Sequence, residues 1–240
     1  MKNIYFILLF VGQISFGQIS KKIEIPVYQN SNNKGDTSLW FKDYFKLGQE
    51  LKLPNLQHTN DTFYFRFWSY NQAIDIWTFD RVKIFGMVTN FAERYDAKLL
   101  RKGQYIVDKV FYNTKKLDSL SAKNIYKAIE NLNLVDIPSD EKIKGWSAGF
   151  DGVEYLIEAS SKTNYSFKTY WTPSVFSDTL NEAKRIQKFV DYLFKDLNLW
   201  NFGKRLKLSK GTFKTNGIPG IQIRTIKQDN NGARTITDLL

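Results

Sequence analysis

The sequence predicts an α+β fold: a mostly antiparallel sheet, made of a meander plus a hairpin and packed by two or three helices. Three observations lead to this expectation. Branched and aromatic residues alternate along several short segments between residues 63 and 112, and two later segments repeat apolar residues at helical spacing. The strands and helices do not alternate regularly, so a doubly wound parallel sheet is not expected.

The first 17 residues predict a signal peptide. Lys2 supplies a positive charge, residues 4–11 form an uncharged apolar run, and the small residues Ser15 and Gly17 precede the expected cut before Gln18. This run is shorter than the roughly 20 residues that span a bilayer. A chain without cysteine also lacks the attachment point of a lipoprotein. We therefore expect a soluble exported protein, periplasmic or extracellular, with one domain over residues 18–240.

The first elements of that domain are a polar loop over residues 29–37 and a short helix behind it. Asp36, Thr37 and Ser38 are candidate helix caps, and Gly48 is a candidate stop. The apolar residues of this helix are Trp40, Phe41, Tyr44, Phe45 and Leu47.

A three-stranded meander follows. Residues 63–68 and 74–79 are predicted strands separated by a turn near residues 70–72, and the β pattern resumes from Val82 through Ile84 and Phe85 to Val88. Residues 105–112 form a further predicted strand.

Two helices are predicted in the second half. The first is capped by Ser119 or Ser121 and ends before Ile137. The second is capped by Ser177 or Asp178 and carries a continuous apolar stripe over residues 180–197 opposite a charged face, which is typical of a core helix.

A hairpin is expected between these helices. With residues 160–164 as its loop, Ala159 lies opposite Tyr165 and Ile157 opposite Phe167, so that one mostly apolar face meets the core. The same register places Lys168 beside two glutamates on the other face. A last strand is expected over residues 220–226, followed by a mobile polar tail from about residue 228.

Several catalytic and cofactor classes are not expected. The chain has no cysteine for thiol chemistry, and its one histidine, His58, lies among turn-forming residues. No phosphate-binding glycine loop occurs. Residues 145–149 match the Gly-x-Ser-x-Gly spacing but lack the strand and helix that flank a hydrolase nucleophile. We assign no catalytic residue, metal ligand or cofactor, and the balance leans away from an enzyme.

One group of aromatic and acidic residues predicts a binding site. The hairpin brings the chain around residues 146–152 close to residues 170–173, giving an aromatic wall with carboxylates. Such a site suits glycan binding or glycoside hydrolysis, whereas Asp-Gly at 151–152 is equally an ordinary turn. The candidate residues are Trp146, Asp151, Glu154, Tyr170 and Trp171.

Charge predicts the partner. The formal net charge is +11, and no acidic residue occurs between residues 197 and 227. For an exported chain this favours an anionic envelope component (phospholipid, lipopolysaccharide or acidic glycan) over nucleic acid. Two alternatives are a solvated face of ordinary strands and a structural component that binds an envelope protein. The cations expected to form the patch are Lys204, Arg205, Lys207, Lys210 and Lys214.

Overall fold

The computed structural model describes residues 21–27, 38–69, 71–147, 149, 152–199, 206, 208, 211–216 and 221–226. The strands are β1 (Lys22–Glu24), β2 (Phe63–Ser69), β3 (Gln72–Thr78), β4 (Phe85–Tyr95), β5 (Val107–Lys116), β6 (Glu154–Ser160), β7 (Asn164–Trp171), β8 (Gly211–Asn216) and β9 (Ile221–Ile226). The helices are α1 (Leu39–Glu50), α2 (Ala97–Leu100), α3 (Ser119–Asn131), α4 (Pro173–Phe176) and α5 (Asn181–Asp191).

These strands form one sheet, in the order β1-β7-β6-β2-β3-β4-β8-β9. All neighbouring pairs in the described chain are antiparallel except β1 with β7. Strand β4 is the longest, and it pairs with β3 at its start, with β8 near its end and with β5 along the opposite edge. The predicted α+β fold with a mostly antiparallel sheet is confirmed.

Apolar side chains are buried on both faces of the sheet. On the first face, α3 and α5 cover β2, β3 and β6, and the ring of Phe189 meets those of Phe65 and Phe67 edge-on at 5.8 and 5.4 Å. On the second face, α1 packs Tyr44 against Trp68 at 5.0 Å between ring centroids. Such aromatic pairs stabilise the packing beyond the area they bury. One face of the hairpin was expected to meet the core, whereas both faces of the sheet carry a core.

The hairpin register predicted from sequence is wrong by one residue. Ser161 N–H donates to the Asn164 carbonyl at 2.8 Å, which shortens the loop to two residues and places Ile157 opposite Lys168. Since side chains alternate between faces, a shift of one residue changes which residues share a face. Lys168 therefore lies away from Glu154 and Glu158, and its Nζ donates to the Val135 carbonyl.

Several element boundaries also differ from those predicted. Helix α1 continues past Gly48, and α3 is capped by Asp118, whose carboxylate accepts from Ser121 N–H at 2.8 Å. Helix α5 begins at Asn181, after the short helix α4.

Strand boundaries moved as well. Strand β4 begins only at Phe85, so Val82 and Ile84 belong to a loop, and β5 starts two residues later than predicted and extends to Lys116. Strands β1 and β8 were not predicted.

Within the described ranges, no helix combines the length and apolar character needed to cross a bilayer. Three predicted segments lie outside the described residues: the signal peptide, the loop at 29–37 and the tail from residue 228. The predicted domain begins at Gln18, and the structure describes it from Lys21.

Candidate functional site

The structure brings four of the five predicted aromatic and acidic residues together, and Asp151 lies outside the described residues. Trp146 Nε1 donates to the Trp171 carbonyl at 2.8 Å, and its ring lies 5.9 Å from that of Tyr170. Trp146 is only 7% exposed and Tyr170 is fully buried. These two rings pack in the core and do not offer a face to a ligand.

Trp171 is half-buried, and its indole is covered by the chain's own backbone. A Cβ atom at Gly149 would lie 2.6 Å from the indole carbons, and one at Gly152 would lie 2.6 Å from the indole nitrogen and overlap Thr172 Oγ1. Only glycine permits so close an approach of backbone to ring. The backbone at Gly149 and at Gly152 therefore lies directly against the indole, and the predicted glycan site stays a prediction.

Sequence reasoning missed Asp140, which lies against the same strand. Its carboxylate accepts from Trp171 N–H at 2.7 Å and from Thr169 Oγ1 at 2.9 Å, while Ser139 Oγ accepts from Thr169 N–H at 3.1 Å. Strand β1 pairs only with the start of β7, at residues 164–166. Asp140 and Ser139 thus satisfy edge N–H groups that β1 does not reach.

Glu154 is the most perturbed acid of this group. Burial, together with the negative charges of Asp140 and Glu141, raises its pKa to about 8. The carboxyl group is therefore mostly protonated at neutral pH. Among the described residues, no group of three or more acidic or histidine side chains is placed to hold a metal ion.

A second unpredicted cluster is buried under α1. Arg66 Nε donates to Asp75 Oδ1 at 2.7 Å, and Arg66 Nη1 lies 3.4 Å from Glu158 Oε1. Trp68 Nε1 and Tyr165 Oη also donate to Glu158, at 2.8 and 2.9 Å. One cation thus serves two carboxylates in a site closed to solvent, and the cluster links strands β2, β3 and β6.

Residues 97–106, named here the cationic loop, connect β4 to β5. Lys98, Arg101 and Lys102 are exposed, and none of them forms an ion pair with another residue in the described part of the chain. The two flanking carboxylates are already engaged. Asp96 accepts from two backbone N–H groups of α2, at 2.7 and 2.9 Å, and Asp108 receives two hydrogen bonds from Arg94, at 2.9 and 2.8 Å.

The cationic loop also exposes apolar surface while being held in one conformation. Tyr105 is 60% exposed and Ile106 is 52% exposed. Asp96 N–H donates to the Ile106 carbonyl at 2.8 Å and closes the loop, and Gly103 takes the left-handed conformation (φ 75°) that the turn requires. The Tyr105 ring meets that of Tyr95 edge-on at 5.8 Å.

Strand β8, which carries Lys214 of the predicted cationic patch, reaches the same end of the sheet. Strand β8 pairs with β4 at Glu93 and Arg94, immediately before the cationic loop, and Leu206 and Leu208 are buried against Ala92. Phe213, on the same strand, is fully buried.

Only one of the five predicted patch residues can be placed. Lys214 forms an ion pair with Glu93 at 3.2 Å and is therefore not a free cation. The other four lie outside the described residues: Lys204, Arg205, Lys207 and Lys210.

Comparison of the chain with protein-family models, with curated proteins and with solved structures finds no match. A function for this protein therefore has to be argued from the geometry and charge of its own residues. In the cationic loop, cations without an ion pair and exposed apolar side chains occur together.

Proposed function

We propose that this chain is an exported, non-catalytic component of the cell envelope that binds an anionic lipid surface through the cationic loop. The observation that carries this proposal is the pairing of three exposed cations with two exposed apolar side chains, in a loop whose neighbouring carboxylates are both engaged. Cations beside apolar side chains suit a lipid interface, where the charge meets headgroups and the ring enters the acyl boundary.

The expected strength follows from these groups. A lysine or arginine near an anionic membrane contributes about 1 kcal/mol. Burying an apolar side chain contributes about 1.5 to 3 kcal/mol when burial is complete. Three cations with partial insertion of Tyr105 and Ile106 then give roughly 4 to 6 kcal/mol, which is weak, reversible binding with strong salt dependence.

The loop is held by contacts within the chain. Its closing hydrogen bond, the capping of α2 by Asp96 and the contact between Tyr95 and Tyr105 hold the side chains in place. A preformed loop loses less conformational entropy on binding than a flexible one. This order favours a binding surface over a merely solvated connection.

Co-sedimentation with phosphatidylglycerol-rich vesicles at low and high salt tests the proposal. The test variant is Lys98→Glu/Arg101→Glu/Lys102→Glu, and the matched control reverses three exposed lysines on the helices, Lys123, Lys127 and Lys184. We expect wild type and control to bind at low salt, to release at high salt and to ignore phosphatidylcholine vesicles. We expect the loop variant to lose most binding.

Two results would overturn the proposal. One is the absence of wild-type binding at low salt. The other is equal binding by the loop variant and the control, which would mean that net charge alone, and not the loop, drives association. Retention on an acidic polysaccharide without retention on vesicles would likewise count against a lipid surface.

A further inference from the structure

Strand β5 leaves a long edge of the sheet open. It pairs with β4 over residues 107–116, and no other strand of the described chain pairs with its outer side. All ten of its residues are exposed or half-buried, and none is proline. At β7, by contrast, strand β1 and the side chains of Ser139 and Asp140 take up N–H groups of the edge. The chain therefore closes one edge with dedicated groups and leaves β5 without them.

The direction of the main-chain groups of β5 follows from its register. The ladder with β4 is regular over residues 109–116, and just beyond it Leu117 N–H donates to the Gly86 carbonyl at 2.9 Å. Successive residues of an antiparallel strand point their N–H and C=O groups to opposite sides, so every second residue before Leu117 faces β4. The residues between them face outward, and their main-chain groups have no other hydrogen bond within the described ranges. The central three are Val110, Tyr112 and Thr114.

The side chains of β5 give this edge its chemistry. Val110 and Tyr112 share one face, where they are half-buried and pack against the core beneath α1. The strand has one carboxylate, Asp108, which pairs with Arg94. It is net positive, because three of its exposed residues are lysines: Lys109, Lys115 and Lys116.

This charge disfavours a second copy of the chain as the partner. Two β5 strands side by side would bring the lysines of one copy close to those of the other, and like charges on neighbouring strands are destabilising. Lysine on an edge strand is a common guard against such self-pairing. An acidic strand is attracted instead, because its carboxylates gain opposite charges across the new ladder.

We propose that the β5 edge is a docking site for an extended acidic segment of another protein, which adds to the sheet as one more strand. Main-chain hydrogen bonds to residues 110–114 supply affinity. Alternate apolar side chains of the segment lie beside Val110 and Tyr112, and its carboxylates lie near Lys109 and Lys116. This site does not depend on lipid binding by the cationic loop.

Fluorescence anisotropy of a labelled synthetic peptide of alternating glutamate and valine, at about 0.15 M salt, tests the proposal. The first test variant is Thr114→Pro, and its matched control is Thr114→Val. Because the N–H of Thr114 points away from β4, proline removes an edge donor without removing a bond of the β4–β5 ladder.

A second pair of variants tests the charge. Lys109→Glu/Lys116→Glu reverses two lysines of β5, and Lys123→Glu/Lys127→Glu reverses two exposed lysines of α3 as the control. Both variants change the net charge equally, so a difference between them reports the position of the charge and not its total.

We expect wild type and Thr114→Val to bind the peptide equally, and Thr114→Pro to bind at least about fivefold more weakly. Lys109→Glu/Lys116→Glu should bind about tenfold more weakly, whereas the α3 control should stay within about twofold of wild type. Circular dichroism checks that each variant keeps its sheet. Should Thr114→Pro fail to fold, the charge variants and the methylated peptide below still decide.

Four results would overturn the proposal. Wild type does not bind the peptide, or it binds equally well a peptide N-methylated at every central amide, which keeps the charge but cannot donate hydrogen bonds. Folded Thr114→Pro binds as well as wild type. Sedimentation equilibrium shows a wild-type dimer that Thr114→Pro abolishes, which would assign the edge to a second copy of the chain.

Discussion

Replacing Glu154 with glutamine should change how the stability of this protein depends on pH. Glu154 lies opposite Trp171 in the β6–β7 hairpin, and burial, reinforced by Asp140 and Glu141, raises its pKa from 4.5 to about 8. In the unfolded chain the same carboxyl group ionises near its ordinary value. Glutamine keeps the size and polarity of the protonated acid but cannot ionise.

The sign follows from proton binding. Between pH 4.5 and about 8 the folded chain holds a proton on Glu154 that the unfolded chain releases. The contribution of this group to the free energy of unfolding is therefore fully present below about pH 4.5 and is lost as pH rises to about 8. If the whole pKa difference of Glu154 acted on folding, the free energy of unfolding would change by about 4 to 5 kcal/mol, since one pKa unit corresponds to about 1.36 kcal/mol. Glu154 keeps some contact with solvent, so we expect about 2 kcal/mol.

Urea unfolding followed by tryptophan fluorescence, at about pH 5 and about pH 9, measures this difference. Wild type and Glu154→Gln should have nearly equal stability at the lower pH, and the variant should be more stable by about 2 kcal/mol at the higher pH. Glu50→Gln, at an exposed position of α1, is the matched control and should show no such divergence. A stability difference that is the same at both pH values, or that favours wild type as pH rises, would refute a buried, protonated Glu154.

Three further substitutions test the packing. Arg66→Met should lower the free energy of unfolding by about 3 to 5 kcal/mol, because it leaves two buried carboxylates without their cation; a loss under about 1 kcal/mol in urea titration would contradict this. Gly152→Ala should cost about 1 to 3 kcal/mol by forcing the backbone off Trp171, and an unchanged thermal midpoint would show that the segment can move at little cost. Asp118→Ala should cost about 1 kcal/mol through loss of the α3 cap, whereas Asp118→Asn should retain most of it.

The parts of the fold that sequence predicted well are those with one dominant period. Phenylalanine recurs at every second position of residues 63–67, and the stripe of α5 repeats at helical spacing, so both were recognised. The hairpin register failed for a physical reason. Its strands are buried on both faces, so no polar face distinguishes one register from the next, and the turn from Ser160 to Asn164 is polar throughout.

The candidate sites depended on contacts that sequence does not encode locally. Arg66 and Glu158 lie 92 residues apart and meet only because β2 pairs with β6. The cations of the cationic loop were visible in the sequence. The partners of their neighbouring carboxylates were not, because only the structure shows that Asp108 pairs with Arg94 and that Asp96, which keeps its negative charge, accepts from the backbone of α2.

The chain contains no cysteine, so a single introduced cysteine can carry a fluorophore that reports its surroundings. Labelling Ile106→Cys in the cationic loop, and Val175→Cys on α4 as reference, shows which surface meets the membrane. On addition of phosphatidylglycerol-rich vesicles at low salt, the label at residue 106 should brighten and shift to the blue, and high salt should reverse the change. The label at residue 175 should stay unchanged. An unaltered spectrum at residue 106, with the protein bound to the vesicles, would contradict lipid binding through the cationic loop.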